Sequence, residues 1–182
     1  MEEWIKELDA ENSLSQEYLA SVIDTYYGLW GAFKERDGGM WGFYAAKIRD
    51  DLKDKDSQAY ELMDNKFFHP YITYNARIDK DFLGTFSLKF DTDVPYTHHA
   101  RYLKDITLLG RNDTNVRVNE LDNDITGNDG INTVIFSGSS EEYTVQTETG
   151  FTTVKDNTAE RDGLNTLRKV EKLQFADKTI EL

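Results

Sequence analysis

The sequence predicts an α+β chain in four stretches: a helical region (1–70), an irregular β connector (71–108), a short parallel β-roll (109–136) and an antiparallel β cap (137–182). Three observations carry this expectation. Apolar residues recur every three or four positions as far as Phe67, a nine-residue unit repeats from Leu109, and the tail alternates β-favouring residues between turn formers. A length of 182 residues with 38% hydrophobic content is enough for one packed domain or two small ones.

The helical stretch begins with Trp4, Ile5 and Leu8, which predict a short helical turn. From Ser13 a longer stripe follows: Tyr18, Leu19, Val22, Ile23, Tyr26, Tyr27, Trp30 and Phe33 fall on one helix face. Ser13 with Gln16 reads as its capping box, and Asp37-Gly38-Gly39 as its end. Trp41, Tyr44, Ala45, Ile48 and Leu52 mark a second helix, closed by the charge cluster 53–56, and a third runs from Ser57 through Tyr60 and Met63 to Phe67. The aromatics of these helices, at helical spacing, are expected to pack as core rather than to form a sugar-stacking platform.

Helical periodicity stops at His69-Pro70, because proline removes a backbone donor and pushes its predecessor toward extended geometry. Phe86, Leu88 and Phe90 then share one side of a strand, and the stretch from Arg101 to Leu109 offers another. Beyond it, a single helical turn near Leu167 is the most helix the pattern allows.

From Leu109 to Ile135 the chain divides into three units of nine residues, beginning at Leu109, Val118 and Gly127. The eighth position is β-branched each time (Val116, Ile125, Val134) and the second is a turn former (Gly110, Asn119, Asn128). Such spacing places one apolar side chain per unit inside a parallel roll, with polar turns stacked outside. In the tail, Tyr143-Thr144-Val145 and Thr152-Thr153-Val154 read as strands joined through Glu148-Thr149-Gly150, and Leu173 with Phe175 leads to a last strand near Ile180. A hairpin there would cap the open end of the roll.

The repeat resembles the RTX-type, hemolysin-like calcium-binding nonapeptide G-G-x-G-x-D-x-U-x, most closely in Gly127-Asn128-Asp129-Gly130-Ile131-Asn132-Thr133-Val134. Four further motifs follow in the order seen in tails of that family: Asn132-Thr133-Val134-Ile135-Phe136-Ser137-Gly138, Tyr143-Thr144-Val145, Asp162-Gly163-Leu164-Asn165-Thr166-Leu167, and Val170-Glu171-Lys172-Leu173-Gln174-Phe175-Ala176-Asp177. The resemblance covers about residues 105–182. It implies Ca²⁺ as a cofactor, held weakly or lost, because the sixth-position Asp of the repeat is replaced by Thr114, Asn123 and Asn132. The candidate ligands it leaves are Asp113, Asp122, Asn123, Asp129 and Asn132. It also implies an extracellular bacterial protein exported by type I machinery, without an N-terminal signal peptide, whose partners are that machinery or an upstream domain of a longer chain.

The residues themselves exclude several classes. A net charge of −13 repels phosphate backbones, so nucleic acid is not an expected partner. No apolar run is long enough for a membrane span, and the start Met1-Glu2-Glu3-Trp4 lacks the basic, then apolar pattern of a signal peptide. With no cysteine there is neither a disulfide framework nor a thiolate site. Nucleophile-elbow and phosphate-loop motifs are absent, and His69, His98 and His99 lack the i, i+4 spacing of a helical zinc site. On a strand, His98 and His99 would face opposite ways. No catalytic residue is therefore assigned. The expected function is a non-catalytic C-terminal module supporting an upstream secreted enzyme; the alternatives are a self-contained cation- or glycan-binding protein and a small metal-dependent hydrolase using the histidines.

Overall fold

In the computed structural model residues 2–29, 44–64 and 75–182 are described. Their contacts divide the chain into two units, one of Met1–Thr73 with Thr92–His99 and the other of Tyr74–Asp91 with Ala100–Leu182.

The first unit realises the helical stripe in shorter pieces than the spacing predicts. Its helices are α1 (Glu2–Ala10), α2 (Leu14–Tyr26), α3 (Arg49–Lys55) and α4 (Ser57–Asp64). Val22, Tyr26, Ala46, Leu52, Ala59 and Met63 form its buried core. Where the stripe runs on to Phe33, α2 stops at Tyr26. Gly28 takes a left-handed φ of 75°, its N–H bonds Thr25 O, and Leu29 N bonds Asp24 O at 2.8 Å, the hydrogen-bond pair of a Schellman stop. The capping box expected at Ser13 does not form either. Ser13 closes α1 instead: Asn12 is left-handed (φ 55°), Ser13 N bonds Leu8 O at 2.8 Å, and Ser13 Oγ donates to the same carbonyl at 3.3 Å. The second helix starts only at Arg49, after a non-helical 44–48, and the third is α4; residues 30–43 and 65–74, with Phe33, Trp41, Phe67 and His69, lie outside the described residues. His98 and His99 stand in a helical turn, α5 (Thr97–Ala100), so the strand geometry considered for them does not apply.

The second unit is built by a chain that alternates between two sheets. Strands β1 (Asn75–Ile78), β3 (Asp105–Leu108), β5 (Asn123–Thr126) and β9 (Leu164–Arg168) pair in parallel in one sheet. Strands β2 (Gly84–Ser87), β4 (Thr114–Arg117), β6 (Thr133–Ile135) and β10 (Lys172–Gln174) pair in parallel in the other. Each pass through both sheets is one coil. Phe86, Val116, Val134 and Leu173 align in register on one sheet, and Ile106, Ile125 and Leu167 on the other. All but the partly buried Phe86 are buried, and the two columns fill a single core. The eighth positions of the three nonapeptides thus point inward, successive ones in opposite sheets.

Residues expected to form a connector supply β1, β2 and β3, so the parallel stack begins at Asn75 rather than at Leu109. The stretch near Leu167 is strand β9, not a helical turn, because parallel pairing with β5 holds it extended. A hairpin, β7 (Tyr143–Glu148) with β8 (Phe151–Asp156), joins the first sheet antiparallel to β9, and β11 (Thr179–Glu181) closes the second sheet antiparallel to β10. The fold is α+β with parallel strands, as the sequence predicts, and no described helix is long and apolar enough to cross a membrane.

Candidate functional site

The polar residues of the repeat gather in the turns between the sheets, and asparagine dominates them. Asn119, Asn123, Asn128 and Asn132 are buried, at 0%, 3%, 7% and 1% exposure, where an amide must find partners or lose about 1–3 kcal/mol. They pair as Asn119–Asn123 and Asn128–Asn132, nine residues apart, with one pattern. In each pair the first Oδ1 accepts the main-chain N–H two residues on (Leu121 at 3.1 Å, Gly130 at 2.8 Å) and the second Asn's Nδ2–H at 3.0 Å. The first Nδ2 donates to two carbonyls of the preceding coil, Arg101 and Leu103 for Asn119, Leu109 and Asn112 for Asn128. The second Nδ2 also reaches that coil, Leu103 O from Asn123 and Thr114 O from Asn132. Asn112 does the same one turn earlier, donating to Lys80 O at 2.8 Å. Each turn is thus tied to the coil before it by side-chain amides.

The five candidate calcium ligands occupy these turns, and each serves a group of the protein. Asp113 Oδ1 accepts Ile131 N–H and Asp122 Oδ1 accepts Leu164 N–H, each from a later turn. Asp129 is exposed and stands 3.7 Å from Lys169 Nζ, while Asn123 and Asn132 give their amide hydrogens to the network above. Asn132 Oδ1 accepts Asn128 N–H at 2.8 Å. Among the described residues no group of three or more His, Asp or Glu is placed to hold a metal ion. Calcium takes six to eight oxygens and favours carboxylates. Here the turn carbonyls that would face it accept N–H groups instead, so the donor set does not fit the ion. Asn123 Oδ1 and Asn165 Oδ1, on in-register residues of β5 and β9, have no protein partner, but two neutral oxygens fall short of such a cage.

A second polar cluster, not anticipated from the sequence, sits where the hairpin meets the stack. Arg161 grips buried Asp156 with two hydrogen bonds of 2.7 Å, from Nε and Nη2, and reaches Glu142 Oε1 at 3.0 Å from Nη1. Burial alone would raise the Asp156 pKa, but the Arg161 bonds and the Thr158 N–H outweigh it and hold the carboxyl below its usual range. Glu142 is also lowered, first by the Ser139 N–H and then by Arg161. Beside this cluster the fully buried Asp162 accepts Ser137 N, Ser137 Oγ and Tyr143 OH, at 2.6, 2.8 and 2.6 Å. Burial, then the bond to Asp162, pushes the Tyr143 hydroxyl pKa up. Every hydrogen of Arg161 and Tyr143 named here serves another protein group, so the arrangement clamps the hairpin.

In the first unit, Asp56 Oδ2 accepts Tyr18 OH at 2.8 Å and Tyr44 OH at 2.9 Å, and burial followed by that bond pushes Tyr18 up to about 12. His99 Nδ1 lies 2.6 Å from Tyr27 O. An open cleft of about 570 Å³ on the second unit is lined by Lys80, Asp81, Gly110, Arg111, Asn112 and Asp129, with both charge signs represented. The one sequence signal for the asparagine network was the nine-residue recurrence itself, 119 to 128 and 123 to 132; Asp162 stood only in the tail motif that it opens, and Arg161 had none. Compared with protein-family models and with curated proteins, the chain matches none.

Proposed function

We propose that this chain is a non-catalytic C-terminal module of a bacterial secreted protein, similar to RTX-type tails, supporting the folding and type I export of an upstream enzyme. The observation that carries the reading is the parallel stack of alternating strands closed by antiparallel β7–β8 and β11. A stack of this kind folds by adding coils to a neighbour and needs its end covered, which suits a segment that completes folding outside the cell. Its conspicuous polar groups support the same reading, because the asparagines and Arg161 are engaged in holding turns and hairpin together.

The test is a fusion of residues 75–182 to the C-terminus of a reporter enzyme, expressed in the source bacterium alongside a fusion truncated before β7. Reporter activity in the medium for the full fusion and retention of the truncated one is the expected result. Equal retention of both in the cells would overturn the export role.

A further inference from the structure

In the turns of the second unit, backbone carbonyls of one coil converge on an asparagine of the next, Arg101 O and Leu103 O on Asn119, Leu109 O and Asn112 O on Asn128. Arg101 O, Leu103 O, Leu109 O, Asn112 O and Thr114 O are each met by an asparagine Nδ2–H, at 2.9 to 3.2 Å. In each pair the second Asn's other amide hydrogen goes to the first Asn's Oδ1, which also accepts a main-chain N–H of the same turn; Asn132 Oδ1 accepts Asn128 N–H, while Asn123 Oδ1 has no protein partner. An amide is both donor and acceptor, so a pair of them can close such a turn with no net charge and no ion.

We infer that the asparagine pairs 119/123 and 128/132 stand where a divalent cation would otherwise cross-link the coils, so that this stack folds and stays folded without metal. The inference uses the resemblance behind the proposed function but not export itself. A failed secretion assay would leave the melting experiments below untouched, and the reverse holds as well.

The chemistry predicts what one atom changes. Asn132→Asp removes the donor to Thr114 O and Asn128 Oδ1 and sets a carboxylate against both, while Asn128 N–H still serves one of its oxygens. Oxygens that the amide had satisfied then face one another, a pattern that a hard cation or a proton relieves. Burial among acceptors raises that carboxyl's folded pKa, so stability is present at low pH and is lost as pH rises through it.

The experiment is thermal unfolding of the purified 182-residue chain, followed by far-UV circular dichroism in excess EDTA and in millimolar CaCl₂, with Asn132→Asp measured beside it. The wild-type melting temperature is expected to be the same in both buffers. The variant should melt lower in EDTA at neutral pH and recover with CaCl₂ or on acidification. A wild type stabilised by calcium overturns the inference, because a ligand that binds only the folded state raises its melting temperature by mass action. A variant as stable as wild type in EDTA overturns it too, since the amide donors would then not be what closes the turn. The wild-type comparison decides even if the variant does not fold.

Discussion

Arg161 holds a buried carboxylate, so its removal is costly. Asp156 is 0% exposed at its side chain and depends on Arg161 for two charged hydrogen bonds, while Arg161 itself is 20% exposed. Arg161→Met keeps the length of the stem and removes the charge, stranding a buried carboxylate with the main-chain N–H groups of Thr158 and Asp162 as donors. Breaking a buried pair from one side costs about 3–5 kcal/mol. The partial exposure of Arg161 and the surviving main-chain bonds from Thr158 and Asp162 place the expected loss near the lower end, about 3 kcal/mol. For a chain of this length that is a fall in melting temperature of about 6–12 °C.

Urea denaturation followed by far-UV circular dichroism measures this loss, and Asp156→Asn in the same chain should return most of it, because an amide needs no counter-charge. The pH profile supplies the sign. In the wild type the lowered Asp156 pKa stabilises above the unfolded value, and that stability is lost as pH falls through the folded value. Without Arg161, burial raises the pKa instead, so the variant gains as pH falls from that raised value toward about 4 while the wild type loses below about 4, and the gap between the two chains narrows through both windows. A loss under about 1 kcal/mol, the ordinary value for a surface pair, with no change in the pH profile would refute the reasoning.

Two further substitutions probe the stack. A Cβ on Gly127 would lie 1.8 Å from Lys169 O, a contact no rotamer relieves, so Gly127→Ala should cost at least the roughly 1–3 kcal/mol of overpacking; an unchanged urea midpoint would contradict the turn geometry. Val134, 1% exposed and in register between Val116 and Leu173, should not tolerate a charge. Val134→Asp is expected to abolish the β signal in circular dichroism, and an unchanged cooperative melt would remove Val134 from the core.

Much of this was legible where one residue type repeats at one spacing. Val116, Ile125 and Val134 announced an inward column because β-branched residues nine apart have little else to do, and the alternation around Tyr143 and Thr152 gave the hairpin. The earlier coils were hidden. Only turn asparagines and glycines advertise the nonapeptide, and β1 and β2 are joined through Asp79-Lys80-Asp81-Phe82-Leu83, which carries neither. The end of α2 was obscured because Gly28 sits inside a run of aromatics whose spacing continues past it. The asparagine pairs read singly as turn formers. Their partners are carbonyls some 16 to 20 residues earlier, which only stacking of the coils brings within reach. Arg161 was opaque for a similar reason, since Glu142 lies 19 residues before it, across the hairpin.

The proposal that this stack serves a longer secreted protein is tested most directly by immunoblotting culture medium and cells of the source organism with an antibody to residues 75–182. A band well above 21.0 kDa in the medium is the predicted result. A band at 21.0 kDa confined to the cells would contradict it and return the search for function to the chain itself.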